Sequence, residues 1–258
     1  MTTTSSSTRY DFSGKVAFVT GGASGIGESC IQQFAANGAA VAIVDLNETA
    51  GRQLADAINR EGGKALFVRA SMTDAASVQA AVDETIKQLG RMDFAVNCAG
   101  ISGESNILTD YSLEGWHQNI DVNLNGVFYC LRSQIPAMVK QGGGAIVNLS
   151  SILGLVSVPT SPAYVAAKHA VAGITKNAGQ TYASKGVRVN AICPGYIDTP
   201  MLRNSATDEM MKMGAAMHPI GRLGRAEEIA AMAVFLCSDS ASFITGGVYP
   251  VDGGYLTH

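Results

Sequence analysis

Seven short apolar runs rich in β-branched residues, separated by segments with helical period, predict an α/β chain built on one parallel sheet. A glycine-rich turn, TGGASGIG (20–27), lies at the first strand-to-helix junction. Runs this continuously apolar must be covered on both faces, so the expected architecture is a doubly wound Rossmann sheet of seven strands.

The elements follow in order along the chain. KVAFVT (15–20) is the first strand, and the glycine turn leads into a helix ending near Gly38. AVAIVD (40–45) is the second strand, followed by a helix with Leu54 and Ile58 on one side. KALFVRA (64–70) is the third, and DAASVQAAVDETIKQLG (74–90) carries the next helical period. DFAVNCA (93–99), AIVNLSS (145–151), GVRVNAICPG (186–195) and VYPVDGG (248–254) complete the series. No linker, repeat or break in composition divides the chain. Residues 11–258 are therefore expected to form one domain, with residues 1–10 as a flexible polar tail.

With 47% hydrophobic residues among 258, the chain can bury a sizeable core. A net charge of −3 with interspersed signs gives no footprint for nucleic acid or an anionic membrane. No run approaches the ~20 apolar residues of a membrane span, and the polar N-terminus lacks the apolar stretch of a signal peptide. The five cysteines are odd in number and widely spaced, and form no ligand-spaced cluster with the four histidines. Reduced thiols in a cytoplasmic protein without a metal are the simpler reading.

Gly21, Gly25 and Gly27 allow a tight turn and a close helix approach. Backbone N–H groups and the helix dipole then face the place where a pyrophosphate would lie. Asp45 closes the second strand, 24 residues after Gly21, near the spacing of about 20 expected of a carboxylate that accepts from adenosine ribose hydroxyls. An aspartate at a strand end also serves as a local cap. In the ribose role it would oppose a 2′-phosphate by ~4 kcal/mol per charge pair at ~4 Å and an effective dielectric of ~20, which predicts NAD rather than NADP.

In SPAYVAAKHA (161–170), Ser161 and Pro162 read as N-cap and first helical residue. Tyr164 and Lys168, four apart, share one helix face. A phenol of pKa ~10 is a poor base at neutral pH, and a neighbouring ammonium is expected to lower it. The pair then suits general acid–base work on an alcohol or ketone. The same spacing also occurs in helices as a packed ring and a solvated amine. Ser151 ends a strand 13 residues earlier and is expected to project into the same crevice, with Ser150 beside it as a local cap.

The sequence resembles the short-chain dehydrogenases/reductases of ordinary length from about Lys15 to Tyr255. The carriers are TGGASGIG, NCAG (97–100), VNLNGVF (122–128), the Ser151–Tyr164–Lys168 set, PGYIDT (194–199) and VDGG (251–254). The resemblance implies an NAD-dependent interconversion of a secondary alcohol and a ketone, with Tyr164 as acid/base and Ser151 orienting the reacting oxygen. It implies that Asn123 joins them, holding a water that relays protons through Lys168, and that Lys168 also bonds the nicotinamide ribose. Asn97, Ala99 and Gly100 would pack beside the cofactor and steady the central strands. Pro194, Gly195, Ile197 and Thr199 would hold the carboxamide, while Ser24, Ile26 and Leu46 extend the contact. Two positions depart from the family pattern. Cys98 replaces an asparagine, and Ser71 replaces an acidic residue near adenine, leaving Met72 as an apolar neighbour. A homotetramer is the family expectation.

The 201–225 segment should cover the substrate. Its methionines (Met201, Met210, Met211, Met213, Met217) suit either a pliable apolar pocket or the core side of an amphipathic helix. With Leu153, Val158 and Tyr196, they suggest an uncharged, mostly apolar or cyclic substrate. Two other functions fit the same scaffold: a 3-oxoacyl-thioester reductase acting on an acyl carrier protein, and a dinucleotide sensor without catalysis.

Overall fold

The computed structural model describes residues 9–257. Seven strands form one sheet: β1 (Val16–Thr20), β2 (Ala40–Asp45), β3 (Ala65–Arg69), β4 (Phe94–Asn97), β5 (Gly144–Leu149), β6 (Val187–Pro194) and β9 (Val248–Val251). Their order is β3-β2-β1-β4-β5-β6-β9, and every pairing is parallel. A separate parallel pair, β7 (Ile197–Asp198) and β8 (Gly224–Arg225), brackets an excursion from the sheet. The expected doubly wound fold is present, and each expected strand overlaps an observed one.

The helices are α1 (Gly25–Ala36), α2 (Glu48–Arg60), α3 (Ala75–Leu89), α4 (Leu113–Ile120), α5 (Gly126–Lys140), α6 (Pro162–Tyr182), α7 (Pro200–Ser205), α8 (Asp208–Ala216) and α9 (Ala226–Cys237). Alternate residues of each strand feed two cores. Val19 and Val41 pack with Ile31 of α1, Ile58 of α2 and Ile229 of α9. Phe18 and Ala42 pack with Val78 of α3, Val127 of α5 and Val171 of α6. That two-sided burial is why the central strands are apolar at successive positions. No helix among the described residues is long and apolar enough to cross a membrane.

Residues 1–8 of the expected tail lie outside the described residues. Tyr10 is held in place: its N–H donates to Asn37 Oδ1 at 2.7 Å, and its ring stacks on Phe12 at 5.6 Å.

Strand order reverses between β1 and β4, and the register aligns Thr20 with Asn97, and Asn97 with Asn148. The carboxyl ends of β1, β4 and β5 therefore open onto one crevice, the usual ligand position in such sheets.

Candidate active site

The glycine turn lies where the strand order reverses. Gly21 has φ +63°, and a Cβ there would meet the Ala99 Cα at 2.9 Å. A Cβ on Gly27 would fall on the Gly21 carbonyl oxygen. Only glycine at these two places keeps β1, the start of α1 and the NCAG turn so close. A Cβ built on Gly25 would lie 3.4 Å from the Thr199 Cβ, so the 194–199 segment packs against the same turn. Asp45 Oδ2 accepts from the Ala23 N–H at 3.1 Å, and Oδ1 from Asn47 at 2.9 Å. Its carboxylate thus braces the turn while standing at the end of β2. A glycine cradle at a helix N-terminus with a carboxylate beside it fits a dinucleotide.

The NCAG turn is fixed from below. Thr20 Oγ1 accepts from the N–H groups of Cys98 and Ala99, both at 3.1 Å, so the cysteine departure leaves the turn intact. Asn97 is buried and exchanges hydrogen bonds with Gln134 (2.8 and 3.1 Å), and donates to Asn148 at 2.9 Å. Asn148 in turn donates to Thr175 at 2.9 Å. This polar chain ties β4 and β5 to α5 and α6. Asn148 was detectable in the sequence as a lone amide inside an apolar strand.

The Ser151 and Tyr164 side chains adjoin, and the Ser151 hydroxyl acts to favour the phenolate. Lys168 Nζ lies 5.4 Å from the Tyr164 ring centroid and donates to the Leu149 carbonyl at 2.8 Å. Asn123, fully buried, sits in a π-helical turn (Asp121–Asn125) joining α4 to α5. A Cβ built on Gly100 would lie 2.6 Å from Asn123 Oδ1 and 3.7 Å from Lys168 Nζ. The structure thus gathers Asn123, Ser151, Tyr164 and Lys168 in the crevice beside Gly100.

Three local expectations are corrected. The cap at the end of β5 is Ser151, whose Oγ accepts from the Leu153 N–H at 3.1 Å. Ser150 instead donates to the Lys168 carbonyl at 2.8 Å. Ser161 occupies the N-cap position of α6, but its side chain makes no capping bond. The Tyr164 phenol is not lowered in the protein alone. Burial pushes it up to about 12, with the Ser151 hydrogen bond opposing. Burial also pulls the Lys168 ammonium down to about 8.

Other expected contacts divide between site and core. Ser24 and Leu46 are exposed at the rim, and Ile26 is half-buried at the start of α1. Met72 is buried with its sulfur 3.8 Å from the Cys130 thiol, so its side chain belongs to the core rather than to an adenine pocket. Ile197 is likewise a core side chain, and Pro194 is buried at the end of β6.

On the substrate side, Leu153 and Val158 are half-buried in the segment after β5. Tyr196 is half-buried, with its ring edge-on to His218 (5.8 Å) and Tyr255 (6.0 Å). Met201, Met210, Met213 and Met217 are exposed, and only Met211 is half-buried, so the core reading of α8 fails for most of them. His218 escaped the sequence reading. It is buried, its Nδ1 donates to the Gly214 carbonyl at 2.6 Å, and its Nε2 accepts from the Tyr196 N–H at 3.1 Å. It joins the end of α8 to the turn after β6. A lone histidine before proline carried no periodic signal.

Comparison with known proteins identifies the family. A family model described as enoyl-(acyl carrier protein) reductase matches residues 21–256. Cyclohexanol dehydrogenase of Acinetobacter sp. (strain SE19) is 46% identical over 246 residues, 95% of this chain and 96% of that protein. Cis-4-hydroxycyclohexanecarboxylate dehydrogenase of Sinomonas cyclohexanicum is 44% identical, covering 95% and 97%. The crystal structure of levodione reductase superposes with a TM-score of 0.91 at 34% identity, covering 94% of this chain and 98% of that one. The chain is an oxidoreductase of the short-chain dehydrogenase/reductase family.

Proposed function

We propose that this protein interconverts a secondary alcohol and a ketone with NAD(H), and that the substrate is uncharged and cyclic. The observation carrying this reading is Tyr164 adjoining Ser151, with Lys168 one turn along α6 and its Nζ 5.4 Å from the phenol ring. When bound, the nicotinamide supplies hydride transfer and, oxidised, a positive charge that favours the phenolate. Tyr164 Oη takes the hydroxyl proton in oxidation and returns it in reduction. Ser151 Oγ holds the reacting oxygen against that phenol. Lys168 stabilises the phenolate, and Asn123 stands beside it at Gly100.

Burial raises the Tyr164 phenol in the protein alone. The positive charge of the oxidised cofactor, at about 5 Å and an effective dielectric of ~20, would favour the phenolate by ~3 kcal/mol.

NAD is favoured over NADP by the Asp45 carboxylate beside the glycine turn. Gly21, Ser24, Gly25, Ile26, Gly27 and Leu46 surround that half of the cofactor. Gly100, Gly195 and Thr199 line the nicotinamide half. Leu153, Val158, Tyr196 and Met201 are the substrate contacts in this reading. The basic residues of the covering segment are largely neutralised: Arg203 is bidentate on Asp198 (2.6 and 2.8 Å), and Arg222 pairs with Glu228 at 2.7 Å. That supports an uncharged substrate, and the likeness to cyclohexanol and hydroxycyclohexanecarboxylate dehydrogenases supports a cyclic one.

The family model's description favours one second reading, an acyl-carrier-protein reductase. Two of the three bases between Tyr196 and Arg222 are ion-paired, which leaves little basic surface for an acidic carrier. A panel of cyclohexanols, linear secondary alcohols, phosphorylated sugars and oxoacyl and enoyl thioesters separates the readings. NADH formation fastest on the cyclohexanols is expected; turnover confined to thioesters or phosphorylated sugars overturns the proposal. No NADH from any alcohol, with NADH still bound, would instead support a sensor.

We place the protein in the cytoplasm as a homotetramer. Its five cysteines are all free thiols, and Phe128 of α5 is exposed. A tetramer mass by light scattering is expected; a monomer contradicts it.

A further inference from the structure

Asn119 has no part in the site described so far. It is fully buried near the C-terminal end of α4, four residues before Asn123. Its Oδ1 accepts from Asn123 Nδ2 at 2.8 Å, and its Nδ2 donates to the Ser102 carbonyl at 3.3 Å. Asn123 also donates to the Ile101 carbonyl at 2.9 Å, and its Oδ1 accepts from the Ile101 N–H at 3.1 Å. A primary amide has two donor hydrogens and one acceptor oxygen. Both donors of Asn123 are consumed on the Ile101 and Asn119 side; its oxygen, with one lone pair on the Ile101 N–H, lies beside Gly100, where Lys168 Nζ also lies.

Asn123 lies in a π-helical turn, a rare single-turn feature frequent at functional sites. Side-chain contacts fix where its amide points. Among the described residues, Asn119 supplies the one such hydrogen bond from α4, and it ties the same amide to the loop that follows NCAG. A side chain without an acceptor at 119 would leave one Asn123 donor unpaired in a fully buried position.

We infer that Asn119 is a positioning residue: it clamps the Asn123 amide so that its oxygen faces Lys168 in the alcohol-oxidising site. This rests on the proposed role of Asn123 in that site. Asn119 itself touches neither substrate nor cofactor.

Four variants test it: Asn119→Leu, which keeps the branched shape and removes the polar atoms; Asn119→Asp, which keeps the acceptor; Asn123→Ala; and Tyr111→Phe. Tyr111 Oη lies by Gly103, as Asn119 Nδ2 does, so its removal perturbs the same pocket without touching Asn123. If Asn119→Leu does not fold, Asn119→Ser, too short to reach Asn123, takes its place. The readouts are kcat and its pH dependence, NADH affinity by fluorescence, and Tm.

Asn119→Leu is expected to lower kcat about tenfold or more, as small misplacements at a reacting centre do. Its pH midpoint for oxidation should rise while NADH affinity stays within about threefold. Asn119→Asp should recover most of the lost kcat, and Tyr111→Phe should stay near wild type. Equal losses in Asn119→Leu and Tyr111→Phe, or an unmoved pH midpoint with no recovery in Asn119→Asp, overturn the clamp. If Asn123→Ala loses activity and Asn119→Leu does not, the clamp alone is wrong. If Asn123→Ala turns over like wild type, the role of Asn123 is wrong and the clamp falls with it.

Discussion

The Lys168 ammonium donates to the main-chain carbonyl of Leu149 at 2.8 Å, tying the second turn of α6 to the last residue of β5. The Lys168 carbonyl accepts from Ser150 in return. Tyr164, one turn earlier, is thus placed by the strand that carries Ser151.

That buried ammonium has a consequence for stability. Its folded pKa, about 8, lies below the ordinary 10.5. Between these values the unfolded chain binds more protons, so this group's contribution to stability rises with pH and is lost as pH falls through 8. Lys168→Met removes the dependence. Relative to wild type, the variant should be more favoured at pH 7 than at pH 10, by about 3 kcal/mol at most. Urea unfolding at both values checks this; an equal difference at the two contradicts it.

Asp45→Ala should narrow the cofactor preference. The kcat/KM with NAD should fall about tenfold and that with NADP should rise, since a like charge no longer opposes the 2′-phosphate. The N–H groups of Ala23 and Asn47 lose their acceptor, at a cost of ~1 kcal/mol in stability. Initial rates with both cofactors decide it, and an unchanged ratio removes Asp45 from ribose selection.

Gly27→Ala sets a methyl group on the Gly21 carbonyl oxygen. The glycine turn must open, at ~1–3 kcal/mol. NADH affinity should drop tenfold or more while the sheet still forms. Fluorescence titration together with circular dichroism checks this, and wild-type affinity contradicts the close approach of α1.

His218→Phe keeps a ring but strands the Tyr196 N–H and the Gly214 carbonyl. The expected outcome is a loss of ~1–3 kcal/mol and a raised KM for the alcohol, with KM for NAD unchanged. Equal rises in both would place His218 in general stability rather than in the substrate cover.

The strands were legible because burial on both faces demands continuous β-branched runs, as in Val41–Val44. The Tyr164–Lys168 face followed from helical spacing alone. What the sequence concealed depends on tertiary placement. Nothing in AIVNLSS distinguishes the serine that caps from the one that bonds α6. The π turn at Asp121–Asn125 has no sequence period of its own, so Asn123 was reached only through the family resemblance. The methionines of α8 have no local signal to separate pocket from core. The upward push on Tyr164 comes from burial by neighbours far along the chain.

The most direct test is Tyr164→Phe, assayed for NADH production from a cyclohexanol beside an NADH titration. The account predicts that kcat falls by ~10²–10⁴ while NADH affinity stays within about threefold. Turnover within a few fold of wild type would show that the proton leaves by another group, and would contradict the assignment.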